Sequence, residues 1–194
     1  MTEFEPLYSK IKNHLDLSDE ETAFFVSHFA KKKVKKRQFI VQPDYIAKHR
    51  NYVVKGAFRS YVVGNDGQEH TINLAIDDWW ITDSNSFIYQ KPATMFVVAL
   101  EDGVLLQLDF ENEQKLKSHS HKFETFFRTA AERGLTFLQR RITSSHTLTA
   151  EQRYEEFVSE YPQFLQRMPQ YVIASYLGMT TEYLSKIRNN KLKS

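Results

Sequence analysis

The hydrophobic period changes twice along this chain, and that change constrains the fold more than any other feature. From Glu5 to Phe29 apolar residues recur at helical spacing, at Leu7, Ile11 and Leu15 and then at Phe24, Phe25 and Phe29. Between Arg37 and Leu108 they fall instead in short alternating or continuous runs, "QFIVQ", "NYVVKG", "FRSYVVGNDGQEHTINLAI" and "TMFVVALEDGVLLQL". From Phe110 to about Leu148 the helical period returns. Several short strands at this spacing predict a β-barrel or jelly roll rather than βαβ units, with helices before and after it.

Local signals sharpen this outline. "LSDEE" places Ser18 as an N-cap with Glu21 three residues on, so the first segment reads as two short helices. The basic run "KKKVKKRQFIVQPD" reads as a strand edge guarded by lysines, with nucleic-acid contact as the alternative. "GNDG", Gly64 to Gly67, fits a hairpin turn because Asn, Asp and Gly tolerate positive φ. In the later helical segment Phe123, Phe126, Phe127, Ala130, Ala131, Leu135, Leu138 and Ile142 form a stripe too broad for a helix that covers only one small barrel. Part of it is therefore expected to pack on a second copy of the chain, with Gly134 a point of close approach or local weakness. Thr149 is expected to cap the next helix and Pro162 to end it.

Composition closes off several classes. With 194 residues the chain can bury a core and hold two compact units, and the absence of cysteine excludes disulfides, thiolate nucleophiles and Cys-ligated metal centres. The acidic N-terminus "MTEFEPLYSK" has no apolar signal core and the longest apolar run is the short "MFVVAL", so no membrane is expected and the expected location is cytoplasmic. A formal charge of +2 says little about partners, because a small basic module can be offset by an acidic remainder.

The stretch "QYVIASYLGMTTEYLSKIRNN", Gln170 to Asn190, carries the offsets of a helix-turn-helix. Ile173 and Leu177 are core-facing, Ala174 is the small contact between helices, Gly178 allows a left-handed turn, and Met179, Leu184 and Ile187 complete the packing. Thr180 or Thr181 is the cap of the second helix. Thr181, Glu182, Ser185, Lys186, Arg188 and Asn189 are left outward, a set suited to base edges in a major groove. From Tyr161 onward five cations, Arg167, Lys186, Arg188, Lys191 and Lys193, stand against Glu182 alone. An αα-hairpin that merely packs the C-terminus has similar spacing.

Enzyme and metal signals are weak. His119 and His121, two apart, fall on different sides of a helix, and there is no HExxH, GxSxG or P-loop. His70 beside Glu69 would suit a cupin-like metal barrel, but further ligands cannot be named. "SSH", Ser144 to His146, has no orienting carboxylate at an obvious position. No catalytic residue, metal site or cofactor is expected.

The whole layout resembles the CRP/FNR superfamily of bacterial transcription regulators. "VVKGAFRSYVVGNDGQEHTI", "DDWWITDSNSFIYQKPA", "ALEDGVLLQL" and "AEQRYEEFVSEYPQFLQRMPQYVIASYLGMTTEYLSKIR" are similar to the form common in Bacteroidetes. The resemblance implies an α+β fold: an N-terminal antiparallel, cyclic-nucleotide-binding-like β-roll (a jelly roll) with flanking helices, a long dimerisation helix, and a C-terminal all-α helix-turn-helix. Residues 1–145 would form the roll and dimer helix, and residues 146–194 the DNA-binding domain. The implied partners are double-stranded DNA, a second copy of the chain along the long helix, an unidentified small-molecule effector and RNA polymerase. On the family's pattern Thr181, Glu182 and Lys186 fall at base-reading positions.

Two departures accompany the resemblance. The family's Gly-Glu and Arg-Ser pairs, which hold a cyclic nucleotide, align with Thr82 and Asp83 and with Ala93 and Thr94, so the cation for the phosphate is missing and cyclic AMP is not expected as ligand. Trp79 and Trp80, with Asp83 and Thr94, would either line a pocket for another molecule or serve packing. The β-hairpin wing that usually follows the recognition helix is not expected, leaving Lys191 and Lys193 for backbone contacts. The competing reading is a cupin-like barrel that binds a small molecule or metal and does not bind DNA.

Overall fold

The computed structural model describes residues 4–191. Helices α1 (Glu5–His14) and α2 (Asp19–Ser27) precede strands β1 (Ala30–Val34), β2 (Phe39–Val41), β3 (His49–Lys55), β4 (Phe58–Val63), β5 (Glu69–Ala75) and β6 (Trp80–Ile81). Helix α3 (Ser84–Tyr89) leads to β7 (Phe96–Ala99) and β8 (Gly103–Asp109). Then follow α4 (Phe110–His119), α5 (His121–Thr147), α6 (Ala150–Glu160), α7 (Pro162–Arg167), α8 (Gln170–Tyr176) and α9 (Thr181–Lys191).

The strands form two antiparallel four-stranded sheets, β1-β8-β3-β6 and β2-β7-β4-β5. Strand alternation sorts their side chains: Val53 and Leu105, directly paired, face the other sheet with Phe58, Phe87 and Val97. Their neighbours Tyr52 and Leu106 face outward, under Phe25 of α2 and Phe123 of α5. The basic run enters β1, an edge strand whose one neighbour is β8, as the lysine-guarded edge requires. The expected hairpin joins β4 to β5, with Gly67 at φ +79°.

The caps are local and follow the sequence. Ser18 and Thr149 each form a reciprocal capping box, with Glu21 and Gln152. Pro162 opens α7 directly after α6 ends. One expectation is corrected: the helical period from Phe110 to Leu148 is divided between α4 and α5. Ser120 takes extended backbone (φ −151°, ψ 135°) and its hydroxyl accepts from the Lys122 backbone, so it stops one helix and caps the next.

Helix α5 is used differently along its length. Phe123, Phe126 and Phe127 are buried against α2 and the roll, whereas Leu135, Leu138 and Ile142 are 58%, 40% and 58% exposed. Around Gly134 an added Cβ would meet nothing within 4 Å among the described residues, so none of them approaches closely there.

Candidate nucleic-acid interface and its coupling to the roll

Helices α8 and α9 are joined by a turn whose backbone accounts for each residue. The Gly178 N–H donates to Ser175 O (3.2 Å) and the Met179 N–H to Ala174 O (3.0 Å), a Schellman closure. It requires a left-handed residue between them, and Gly178 supplies it at φ +69°. Thr180, not Thr181, is the cap of α9: its Oγ1 accepts from the Tyr183 N–H at 3.2 Å. Ala174, Leu184 and Ile187 are buried, and Leu177 and Met179 are half-buried against the same cluster, with Phe157 and Phe164.

This packing leaves one face of α9 to solvent. Glu182, Lys186, Arg188 and Asn189 are exposed, and Thr181 is half-buried. Lys186 and Arg188 make no ion pair among the described residues. Ser185 departs from its expected free role: its hydroxyl accepts from Gln170 Nε2 (2.6 Å) and donates to Thr181 O (2.9 Å), pinning α9 to the start of α8. Tyr183 donates from its hydroxyl to Glu151 on α6, and that bond holds the Glu151 carboxyl below its ordinary range. Lys193 lies outside the described residues, as does the side chain of Lys191.

The α8–α9 pair is fastened to the roll through β5, the edge strand of its sheet. Ser175 Oγ of α8 accepts from the Thr71 N–H (2.8 Å) and donates to Glu69 O (2.9 Å), serving as partner for the backbone of a strand that has no neighbouring strand on that side among the described residues. Arg141 of α5 adds a second tie, donating to Thr71 O (3.0 Å), to Ile72 O and to Tyr176 O (3.1 Å), with its guanidinium 4.3 Å from the Tyr176 ring centroid. One side chain thus joins the long helix, the roll and the last turn of α8. Arg153 of α6 takes the adjoining Leu177 O (3.1 Å) together with Leu148 O (2.9 Å). These two cations meet the negative end of α8, where unpaired carbonyls collect. Burial pushes the Tyr176 hydroxyl up to about 12, so it stays neutral.

Trp79 and Trp80 do not line a common pocket with Asp83 and Thr94. The two rings part: Trp79, just before β6, meets Phe137, Tyr161 and Phe164, and Trp80, in β6, meets Phe29, Tyr52 and Phe126. Trp79 is therefore a packing contact of the roll with α5 and α7. Asp83 is fully buried and caps α3, accepting from Ser86 N (3.0 Å), Thr94 N (2.9 Å) and Met95 N (3.2 Å). With its oxygens held by backbone donors, it ties α3 to the following loop rather than standing free for a ligand. Thr82 donates to His49 O (2.8 Å), and neither Ala93 nor Thr94 brings a cation.

The tie of Arg141, Ser175 and Arg153 had no motif to announce it. One polar group inside the roll did leave a trace, since Gln107 interrupts the apolar run "VLLQL" at an inward position.

Comparison with known proteins agrees with this architecture. The cyclic nucleotide-binding domain family matches residues 31–119. FixK2 from Bradyrhizobium japonicum superposes with a TM-score of 0.73 at 19% identity, over 84% of this chain and 83% of that one. The c-di-GMP responsive global regulator CLP from Xanthomonas campestris gives 0.67 at 14% identity, over 91% and 92%. A structure from Eubacterium rectale described as a transcriptional regulator of the crp/fnr family gives 0.69 at 18%, over 92% and 85%. No curated protein matches by sequence. These likenesses bear on the broad resemblance and not on the narrower Bacteroidetes form. Residues 31–119 thus match the cyclic nucleotide-binding domain family, in a chain that has the overall fold of these solved regulator structures.

Proposed function

We propose that this chain is a homodimeric DNA-binding transcription regulator of CRP/FNR type. The observation that carries the reading is the exposed face of α9, where Glu182, Lys186, Arg188 and Asn189 stand free on a helix held by a Schellman turn. Lys186 can reach guanine O6 and N7, Glu182 can accept from cytosine N4, and Thr181 and Arg188 can engage adjoining edges or phosphates. Thr180 caps the helix beside the backbone, and Ser185 acts by positioning.

Two copies meet along α5, burying Leu135, Leu138 and Ile142 from each chain, which follow one another at helical spacing on an otherwise uncovered face. The pairing sets two α9 helices on half-sites about 34 Å apart. Residues 1–145 then form the sensing and dimerising unit and residues 146–194 the reader. A signal in the roll, other than cyclic AMP, shifts the reader only insofar as it binds one arrangement better than the other. RNA polymerase is a natural further partner, and no catalytic step is part of this reading.

The test is DNA binding measured against salt. Specific affinity with a steep negative slope of log K on log salt is expected. Absence of binding even at low salt would remove the reading and leave a ligand-binding, cupin-like barrel.

A further inference from the structure

The inner face of the β1-β8-β3-β6 sheet turns from apolar to polar at one end of the roll. His49 and Asn51 precede Val53 by four and two positions, Gln107 follows Leu105 by two, and Lys32 pairs directly with Leu105. All four therefore point to the side that Val53 and Leu105 fill further along. Together with Lys48, and with Ile40, Val41 and Ile46 from across the roll, they line a cavity of about 200 Å³.

The charged lining of this cavity is basic: among the described residues no carboxylate is part of it and Lys32 and Lys48 make no ion pair. Asp109, paired with His49 at the end of the sheet, is the nearby counter-charge, and its oxygens accept from the Asn112 backbone (2.7 Å) and side chain (2.9 Å). The buried amides have a fixed orientation. Asn51 Nδ2 donates to Ile81 O (3.0 Å) and His49 O (3.3 Å), so its Oδ1 accepts from Gln107 Nε2 (2.7 Å). The second Nε2 proton of Gln107 has no protein acceptor among the described residues. Burial first, and then the nearby Lys32 and Lys48, push the His49 imidazole below its ordinary value, with Asp109 opposing. Like charges gathered around a partly enclosed space repel, and an anion between them offsets that cost.

We propose that this cavity is an anion-binding site, which takes a small molecule bearing a phosphate or carboxylate against Lys32, Lys48 and His49, with Ile40, Val41 and Ile46 covering a short apolar body. It is built from different residues than the Asp83 and Thr94 region, whose polar groups are already engaged. The inference deepens the sensing role proposed for the roll and rests on it only for its regulatory consequence.

Inorganic phosphate and citrate, titrated separately into the full chain, are the probes, read by the ring-proton resonances of His49 across pH. The expected result is saturable binding that raises the His49 midpoint by roughly half a unit or more, because an anion favours the imidazolium. Lys48→Glu, at an exposed position, should weaken binding at least about tenfold while leaving thermal unfolding unchanged, and Lys32→Gln should act in the same direction. The idea is overturned if neither probe moves His49 up to about 10 mM, a concentration above any useful affinity. It is equally overturned if chloride at matched ionic strength reproduces the shift, or if Lys48→Glu leaves it intact. DNA binding is measured on the same sample without probe. A chain that binds DNA but neither anion loses this site and keeps the regulator; one that binds an anion but no DNA does the reverse.

Discussion

The hydroxyl of Ser175 on α8 accepts a hydrogen bond from the backbone of Thr71 on β5 at 2.8 Å, across 104 positions of sequence. Through this contact α8 completes the open edge of the roll. Replacing Ser175 with Ala leaves the buried Thr71 N–H without a partner. The expected cost is about 1 to 3 kcal/mol of stability, checked by urea unfolding of Ser175→Ala against the parent. A loss below the error of the midpoint would mean that the edge is hydrated instead.

Arg141 should matter more, because it serves three carbonyls on two elements. Arg141→Met keeps much of the aliphatic stem and removes every donor. A loss of about 2 to 4 kcal/mol is expected, with amide exchange rising in α8 and β5 but not in α1. Uniform acceleration across the chain would instead assign Arg141 to global stability.

Lys186→Ala should cost about 1 to 3 kcal/mol on the specific DNA site if the ammonium reads a base. Equal weakening on cognate and random DNA, with a shallower salt slope, would assign Lys186 to a phosphate. Fluorescence anisotropy on both duplexes over a salt series separates the two.

Leu138→Glu and Ile142→Glu place charges on the uncovered face of α5. Sedimentation velocity should report a dimer for the parent and a monomer for the double variant, with the far-ultraviolet circular dichroism unchanged. A parent that sediments as a monomer at about micromolar concentration would contradict dimerisation through this face.

The Tyr183 bond to Glu151 makes one part of the α6–α9 contact acid-sensitive. The folded carboxyl is held below its unfolded value, so its contribution is present above the unfolded carboxylate pKa and is lost as pH falls through the folded one. Between about pH 5 and pH 3 the parent should lose stability more steeply than Tyr183→Phe. Parallel pH profiles of the two melting temperatures would show that the bond contributes nothing.

Much of this architecture was legible in the residues. The switch from period 3.6 to period 2 outlined the roll between its helices. Ser18, Thr149 and Pro162 marked helix ends within a turn of where they lie, and Ala174 and Gly178 marked the turn between α8 and α9. Ser120 was missed because a short polar residue inside a helical period gives no sign of whether the helix bends or stops. Ser185 read as a free polar group because its partner, Gln170, lies on another helix 15 positions earlier.

What the sequence by itself determined is therefore the local grammar: element type, caps, turns and the apolar faces, all decided by residues within about a turn of one another. Only the tertiary structure decided that Trp79 and Trp80 part company, that Arg141 and Ser175 seat α8 on β5, and that Lys32, Lys48, His49 and Gln107 share one cavity. Those contacts depend on how elements stack, and stacking is fixed by the summed burial of three apolar clusters, which no single stretch of residues carries.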